Sequence, residues 1–166
     1  LGAMMADAEA AVVVSSGGAP LPGLTTLDLA GAADRLAGWP AGEVAALVPA
    51  DPGPTDPAYL LFTSGSTGRP KGVQVGQAAI RNRLAWMQDA FPLRPGSRVL
   101  HKTPISFDVS VWELYWPLTT GACVVVAPPG AHRDPMQVAE IVSGARIDLL
   151  HFVPSMLRAF LADRTA

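Results

Sequence analysis

Tyr59-Leu60-Leu61-Phe62-Thr63-Ser64-Gly65-Ser66-Thr67-Gly68-Arg69-Pro70-Lys71-Gly72 opens as an apolar strand and runs out into four hydroxyls, three glycines, an arginine and a lysine. Glycines let a backbone approach an anion and turn its N–H groups inward. The hydroxyls add short donors, and Lys71 adds a point charge suited to phosphate. A Walker loop needs Gly-x4-Gly-Lys followed by Ser or Thr and then a helix. Here Lys71 follows Pro70 and precedes Gly72, and Gly72 to Val75 reads as a second strand. A Ser/Gly-rich stretch between two strands is by itself more often a polar hairpin loop. The hydroxyl run, the Gly65-x-x-Gly68 spacing and the Pro70-Lys71-Gly72 ending together point instead to a polyphosphate cradle.

Beyond this loop, short apolar runs alternate with amphipathic ones. Gln77 to Phe91 carries Ile80, Leu84, Met87 and Phe91 at helical spacing. Arg98-Val99-Leu100 is a short strand, and Val109 to Leu118 reads as a helix ending near Pro117. Cys123-Val124-Val125-Val126 shows no polar alternation and reads as a buried strand. Asp134 is placed to cap a helix that has Pro135 at its first position. Ile147 to Phe152 reads as a strand, and Pro154 opens a last helix. This alternation predicts an α/β fold, a mostly parallel sheet flanked by helices.

Toward the amino terminus the texture changes. Residues 1–57 are rich in Ala, Gly and Pro, with one β-branched run at Ala11 to Val14 and another near Ala45 to Val48. Pro49, Pro52, Pro54 and Pro57 mark a loop or linker. Two regions are therefore expected: an N-terminal segment, 1–57, and an α/β part, 58–166. Leu1-Gly2-Ala3-Met4 reads equally well as a cloning remnant.

Composition excludes several classes. Nearly half of the 166 residues (49%) are hydrophobic and only 16% are charged, so a chain of this length can bury roughly two-thirds of its unfolded surface. A net charge of −2 without a basic stripe argues against nucleic acid as a partner. No apolar run approaches the roughly 20 residues of a membrane span, and no charged region followed by an apolar one suggests a secretory signal. The single cysteine, Cys123, lies in the apolar run Ala122 to Ala127, which favours a buried thiol in a reducing cytoplasm. His101, His132 and His151 lack the Cys or carboxylate spacing of a zinc site. Trp86, Met87 and Trp116 are expected in the core, and His132 and Arg133 in a solvated loop.

The second informative stretch is Ser106-Phe107-Asp108-Val109-Ser110-Val111-Trp112-Glu113. An aspartate before a helical run is ordinarily an N-cap. With the hydroxyl- and glycine-rich loop, however, it closely resembles a family. The loop from Tyr59 to Gly72 resembles the signature of the adenylate-forming superfamily. The Phe107-Asp108-x-Ser110 segment resembles the motif of nonribosomal peptide synthetase adenylation domains in particular. Lys102-Thr103-Pro104 through Trp116-Pro117 and His132 to Pro135 look most like serine-activating modules of enterobactin-type siderophore synthetases.

The resemblance implies an ATP-dependent ligase that converts an amino acid to aminoacyl-AMP and pyrophosphate, then loads it on a carrier-protein thiol. It implies phosphate binding by Thr63, Ser64, Gly65, Ser66, Thr67, Gly68 and Lys71, with Lys71 and Thr67 catalytic. It places Asp108 on the substrate α-ammonium, a role that suits a carboxylate facing a buried ammonium. Val109, Trp112 and His151 then line the amino-acid pocket. For His151 alone, a satisfied structural histidine is the competing explanation. Asp-Val-Trp-His at these positions resembles the start of a serine pocket, in which an imidazole bonds a small hydroxyl.

ATP, magnesium, a carrier domain with its phosphopantetheine and an MbtH-like protein are the implied cofactors and partners, in the cytoplasm. Family segments that hold adenine, ribose and the catalytic lysine of a C-terminal subdomain have no counterpart in these 166 residues. A fragment with weak ATP binding and no activity alone is therefore expected. The rivals are an acyl- or aryl-acid ligase, which has no ammonium for Asp108 to meet, and an inert or partner-docking subdomain.

Overall fold

A computed structural model describes residues 2–17, 21–30, 32, 52–64 and 68–162. The chain divides into two compact units, Leu1–Ala78 and Ala79–Ala166.

In the first unit a short helix α1 (Gly2–Asp7) precedes strand β1 (Val12–Ser15), which pairs in parallel with β2 (Thr25–Asp28). Asp28 closes this element: its carboxylate accepts from the N–H groups of Gly17 and Ala30, which lowers its pKa. Neither α1 nor β2 was legible from the sequence, because both are short and lack a clean apolar period. The second expected apolar run, Ala45 to Val48, lies outside the described residues.

Strands β3 (Pro57–Thr63) and β4 (Lys71–Gly76) form an antiparallel hairpin, with Thr63 opposite Lys71 at its closing end. Gly72 lies under the aromatic ring of Phe62, where an added Cβ would come within 3.3 Å of ring carbon Cε1. At the far end Gln77 and Ala78 donate their N–H groups to the carbonyls of Asp56 and Pro54.

The second unit holds most of helix α2 (Gln77–Ala90), then β5 (Arg98–His101), helix α3 (Val109–Thr120) and β6 (Cys123–Val126). Strands β5 and β6 are parallel, with α3 as their crossover. A parallel bridge, Val99 to Leu149, adds a third chain segment on the other side of β5. Val99 and Leu100 are accordingly fully buried. Helix α4 (Pro135–Ala145) and helix α5 (Pro154–Ala162) follow. The core joins Met87, Leu93, Val99, Trp112 and Trp116.

The α/β class is as expected, with its parallel part confined to two short ladders and one bridge among the described residues. Four local expectations are corrected. Helix α3 does not end at Pro117 but runs on to Thr120. Pro117 stands inside the helix despite the N–H bond it removes and the crowding of its ring against the preceding turn, and Gly121 (φ 72°) makes the stop. Ile147 to Phe152 is no strand: after Leu149 the ladder lapses, and Phe152 stacks on Phe160 instead, 4.8 Å between centroids. Strand β6 is not buried: Val126 is 68% exposed and the Cys123 thiol is exposed too. Among the described residues β6 pairs with β5 alone, so the unalternating apolar run marks an edge. Trp86 is half exposed, edge-on to Phe91 and under the Arg83 guanidinium. Met87 and Trp116 are buried as expected.

The N-cap of α4 is as read: Asp134 Oδ1 accepts from the Met136 and Gln137 N–H groups, with Pro135 at the first position.

Candidate functional site

Of the residues read as a phosphate loop, Thr63, Ser64, Gly68 and Lys71 are described, at the closing end of the β3–β4 hairpin. Thr63, Ser64 and Lys71 are exposed there, and Thr63 Oγ1 donates to the Lys71 carbonyl at 3.5 Å. Gly68 is left-handed (φ 80°) with open space where a Cβ would stand, so the backbone is free to approach a bound group. Gly65, Ser66 and Thr67 lie outside the described residues. Arg69, which the resemblance does not single out, pairs with both Asp7 carboxylate oxygens at 2.8 and 3.0 Å. The segment after the loop is extended, which excludes a Walker arrangement.

In the second unit Val109 and His151, two of the residues read as an amino-acid pocket, meet where β5 and the Leu149 segment end. Both run in the same direction, and a crevice at the carboxyl ends of parallel strands is the usual ligand position in α/β sheets. A cavity of about 260 Å3 opens there, with Lys102 and Val109 on one side and His132, His151 and Met156 among its other walls. Trp112 stands behind His151, ring edge to ring face, with centroids 5.7 Å apart. Trp112 in turn packs against Trp116 at 6.1 Å. His132, expected in a solvated loop, sits instead in a short 3-10 turn (Ala131–Arg133) on the cavity wall.

Asp108 occupies the position before α3 yet does not cap it. Its backbone is helical (φ −59°, ψ −29°), and its carboxylate accepts no hydrogen bond from the helix. It is exposed, and its negative charge reaches His151. The turn that presents it is locked by Ser110, whose buried hydroxyl donates to the Phe107 carbonyl at 2.6 Å. Thus the serine of the Phe-Asp-x-Ser segment holds the turn, and the aspartate remains free.

Sequence reasoning missed Glu113. Its side chain is fully buried and accepts from His101 Nδ1 (3.0 Å), the Lys102 and Thr103 N–H groups (3.2 and 3.0 Å), and Thr103 Oγ1 (2.7 Å). This clamp shapes the chain that leaves β5 and supplies three cavity walls, Lys102, Thr103 and Pro104. A lone carboxylate between Trp112 and Trp116 on an otherwise apolar helix was the available signal. Burial lowers the pKa of His151, helped by the charge of Lys102, and burial likewise lowers that of Lys102. The shift favours the neutral imidazole, which has one nitrogen to donate and one to accept.

The first unit thus presents a glycine- and hydroxyl-rich hairpin end, and the second a largely apolar crevice with an uncapped aspartate two residues before Ser110. The whole chain, residues 1–166, matches the family of AMP-binding enzymes. It belongs to that family. The chain is 57% identical over 110 residues to vanchrobactin synthetase VabF of Vibrio anguillarum, covering 66% of this chain and 4% of that protein. It is 56% identical over 112 residues to enterobactin synthase component F of Escherichia coli (strain K12), covering 68% of this chain and 9% of that one. The fold matches that of the nonribosomal peptide synthetase FmoA3 in its α-methyl-L-serine-AMP bound form. There the TM-score is 0.76 at 30% identity, over 99% of this chain and 18% of that chain. The chain therefore spans a small part of the length of these AMP-binding relatives. Among the described residues no helix is long and apolar enough to cross a membrane.

Proposed function

We propose that this chain forms part of an amino-acid-adenylating ligase, with serine the favoured substrate. The observation that carries the proposal is that Val109 and His151 line one crevice, with Trp112 packed behind His151, while the Asp108 carboxylate next to Val109 in sequence is left unspent by its helix. A free carboxylate suits a substrate α-ammonium, because an ammonium leaving water needs an opposite charge. A neutral imidazole suits a small hydroxyl, and a dedicated polar partner rejects alanine better than volume alone. The α-methyl-L-serine-AMP held by FmoA3 accords with this substrate class.

Thr63, Ser64, Gly68 and Lys71, with Gly65, Ser66 and Thr67, would hold the ATP phosphates, and Lys71 with Thr67 would steady the departing pyrophosphate. The open approach at Gly68 and the exposed Lys71 fit that role. No cluster of three His, Cys, Asp or Glu suited to a metal occurs among the described residues. Magnesium would arrive with ATP, keeping most of its ligands as water and phosphate. Rate then comes from positioning and charge neutralisation. Transfer to the phosphopantetheine thiol of a carrier domain, with an MbtH-like protein as a partner, completes the proposed cycle.

The test is ATP–pyrophosphate exchange by the full-length protein with serine, alanine, threonine, aspartate and an aryl acid. Serine supporting the fastest exchange is the expected result. Exchange driven by the aryl acid and by no amino acid would move the chain to another ligase branch.

A further inference from the structure

Lys102 is the least expected wall of the crevice. It is only 8% exposed, yet among the described residues no carboxylate lies within 4.0 Å of its Nζ. The nearest candidate, Glu113, spends its oxygens on His101, Thr103 and the Lys102 N–H. The ammonium instead sits 4.8 Å from the centre of the Phe152 ring, a contact that holds a cation without neutralising it. Lys102 thus brings a buried, unpaired charge to the wall it shares with Val109 and His151.

Glu113 favours the Lys102 charge from a distance, but burial opposes that charge more strongly. Lys102 and Arg83 both oppose protonation of His151, while Glu113 and Asp108 favour it, and burial is the largest single cause. Asp108 is not a wall of the cavity. It serves the α-ammonium of a ligand, not the end of its side chain.

We propose that Lys102 is a specificity-determining residue: with His151 it admits small neutral, hydroxyl-bearing side chains and excludes cationic ones of the same size. This rests on the amino-acid reading above and adds the charge class of the side chain. A second ammonium in the crevice would face Lys102 with no carboxylate among the residues that line it, and like charges brought together in such a site are strongly disfavoured.

The experiment compares L-serine with L-2,3-diaminopropionate, which replaces the hydroxyl by an ammonium at almost the same size. Exchange by the full-length protein at pH 7 is measured as kcat/KM for the wild type, Lys102→Met and Lys102→Arg. The wild type should prefer serine by about a hundredfold or more. Lys102→Met should shrink that preference by about tenfold or more, and Lys102→Arg should keep it. A wild type that uses both substrates equally overturns the proposal with no variant needed. So does a Lys102→Met protein active on serine with an unchanged ratio. If Lys102→Met does not fold, Lys102→Gln carries the same comparison. Exchange with no amino acid at all would instead sink the underlying assignment, so the two failures are distinguishable.

Discussion

His151 meets the indole of Trp112 edge to face, 5.7 Å between ring centres and 87° between planes. The two lie 39 positions apart, Trp112 on the α3 crossover that follows β5 and His151 just after the Leu149 segment that pairs with β5. Trp112 is 8% exposed and also supports Trp116 in the core. Trp112→Ala should cost about 3–5 kcal/mol of stability, whereas Trp112→Phe should cost far less. Urea unfolding followed by circular dichroism separates the two.

Glu113 should be intolerant of neutral replacement. Glu113→Ala strands His101, two backbone N–H groups and a hydroxyl, and should cost about 3 kcal/mol. Glu113→Gln keeps the volume but turns one acceptor into a donor facing donors, so it should also destabilise, by less. Equal stability of wild type and Glu113→Ala in urea would contradict the clamp.

Asp108 should behave in the opposite way. Since it caps nothing, Asp108→Ala should change stability by no more than about 0.5 kcal/mol. A large loss would show that the carboxylate has a structural duty.

The pH dependence has a definite sign. His151 has its pKa lowered in the folded protein by burial and by the charge of Lys102. The unfolded chain therefore binds the extra proton first, and between the two values the folded state binds fewer protons. The contribution of His151 to stability is full above about pH 6.5 and is lost as pH falls through that range. NMR titration of its imidazole should show a midpoint below that of a free histidine. A midpoint above it would mean that a carboxylate charge dominates.

How much was legible in sequence depended on where the causes lie. The hairpin was readable, because Tyr59 to Phe62 and Gly72 to Val75 are apolar runs flanking a turn-rich loop. The α4 cap was readable as well, because Asp134 and Pro135 act within one turn. Pro117 misled, since proline disfavours a helix interior without forbidding it, and here Gly121 decides the end. The run from Cys123 to Val126 misled too: its apolarity promises a neighbour on both sides, and the described residues supply one. Within the candidate site, Asp108, Val109, Trp112 and His151 stood out by motif. Glu113 and Lys102 did not, because their roles arise from burial and from what is absent within 4 Å, which no local pattern records.

Helix α4 ends on Arg146 in the left-handed region, φ 50°. A side chain there carries a steric cost that glycine avoids. Arg146→Gly should therefore raise stability by about 0.5–1 kcal/mol, read from the melting temperature.

The most direct measurement is serine-dependent ATP–pyrophosphate exchange by the full-length protein, wild type against Asp108→Ala, with both shown to be folded. The account predicts that the wild type exchanges pyrophosphate in response to serine and that the variant loses at least about a hundredfold in kcat/KM. Exchange that survives the substitution unchanged would contradict it, because the ammonium would then be held elsewhere.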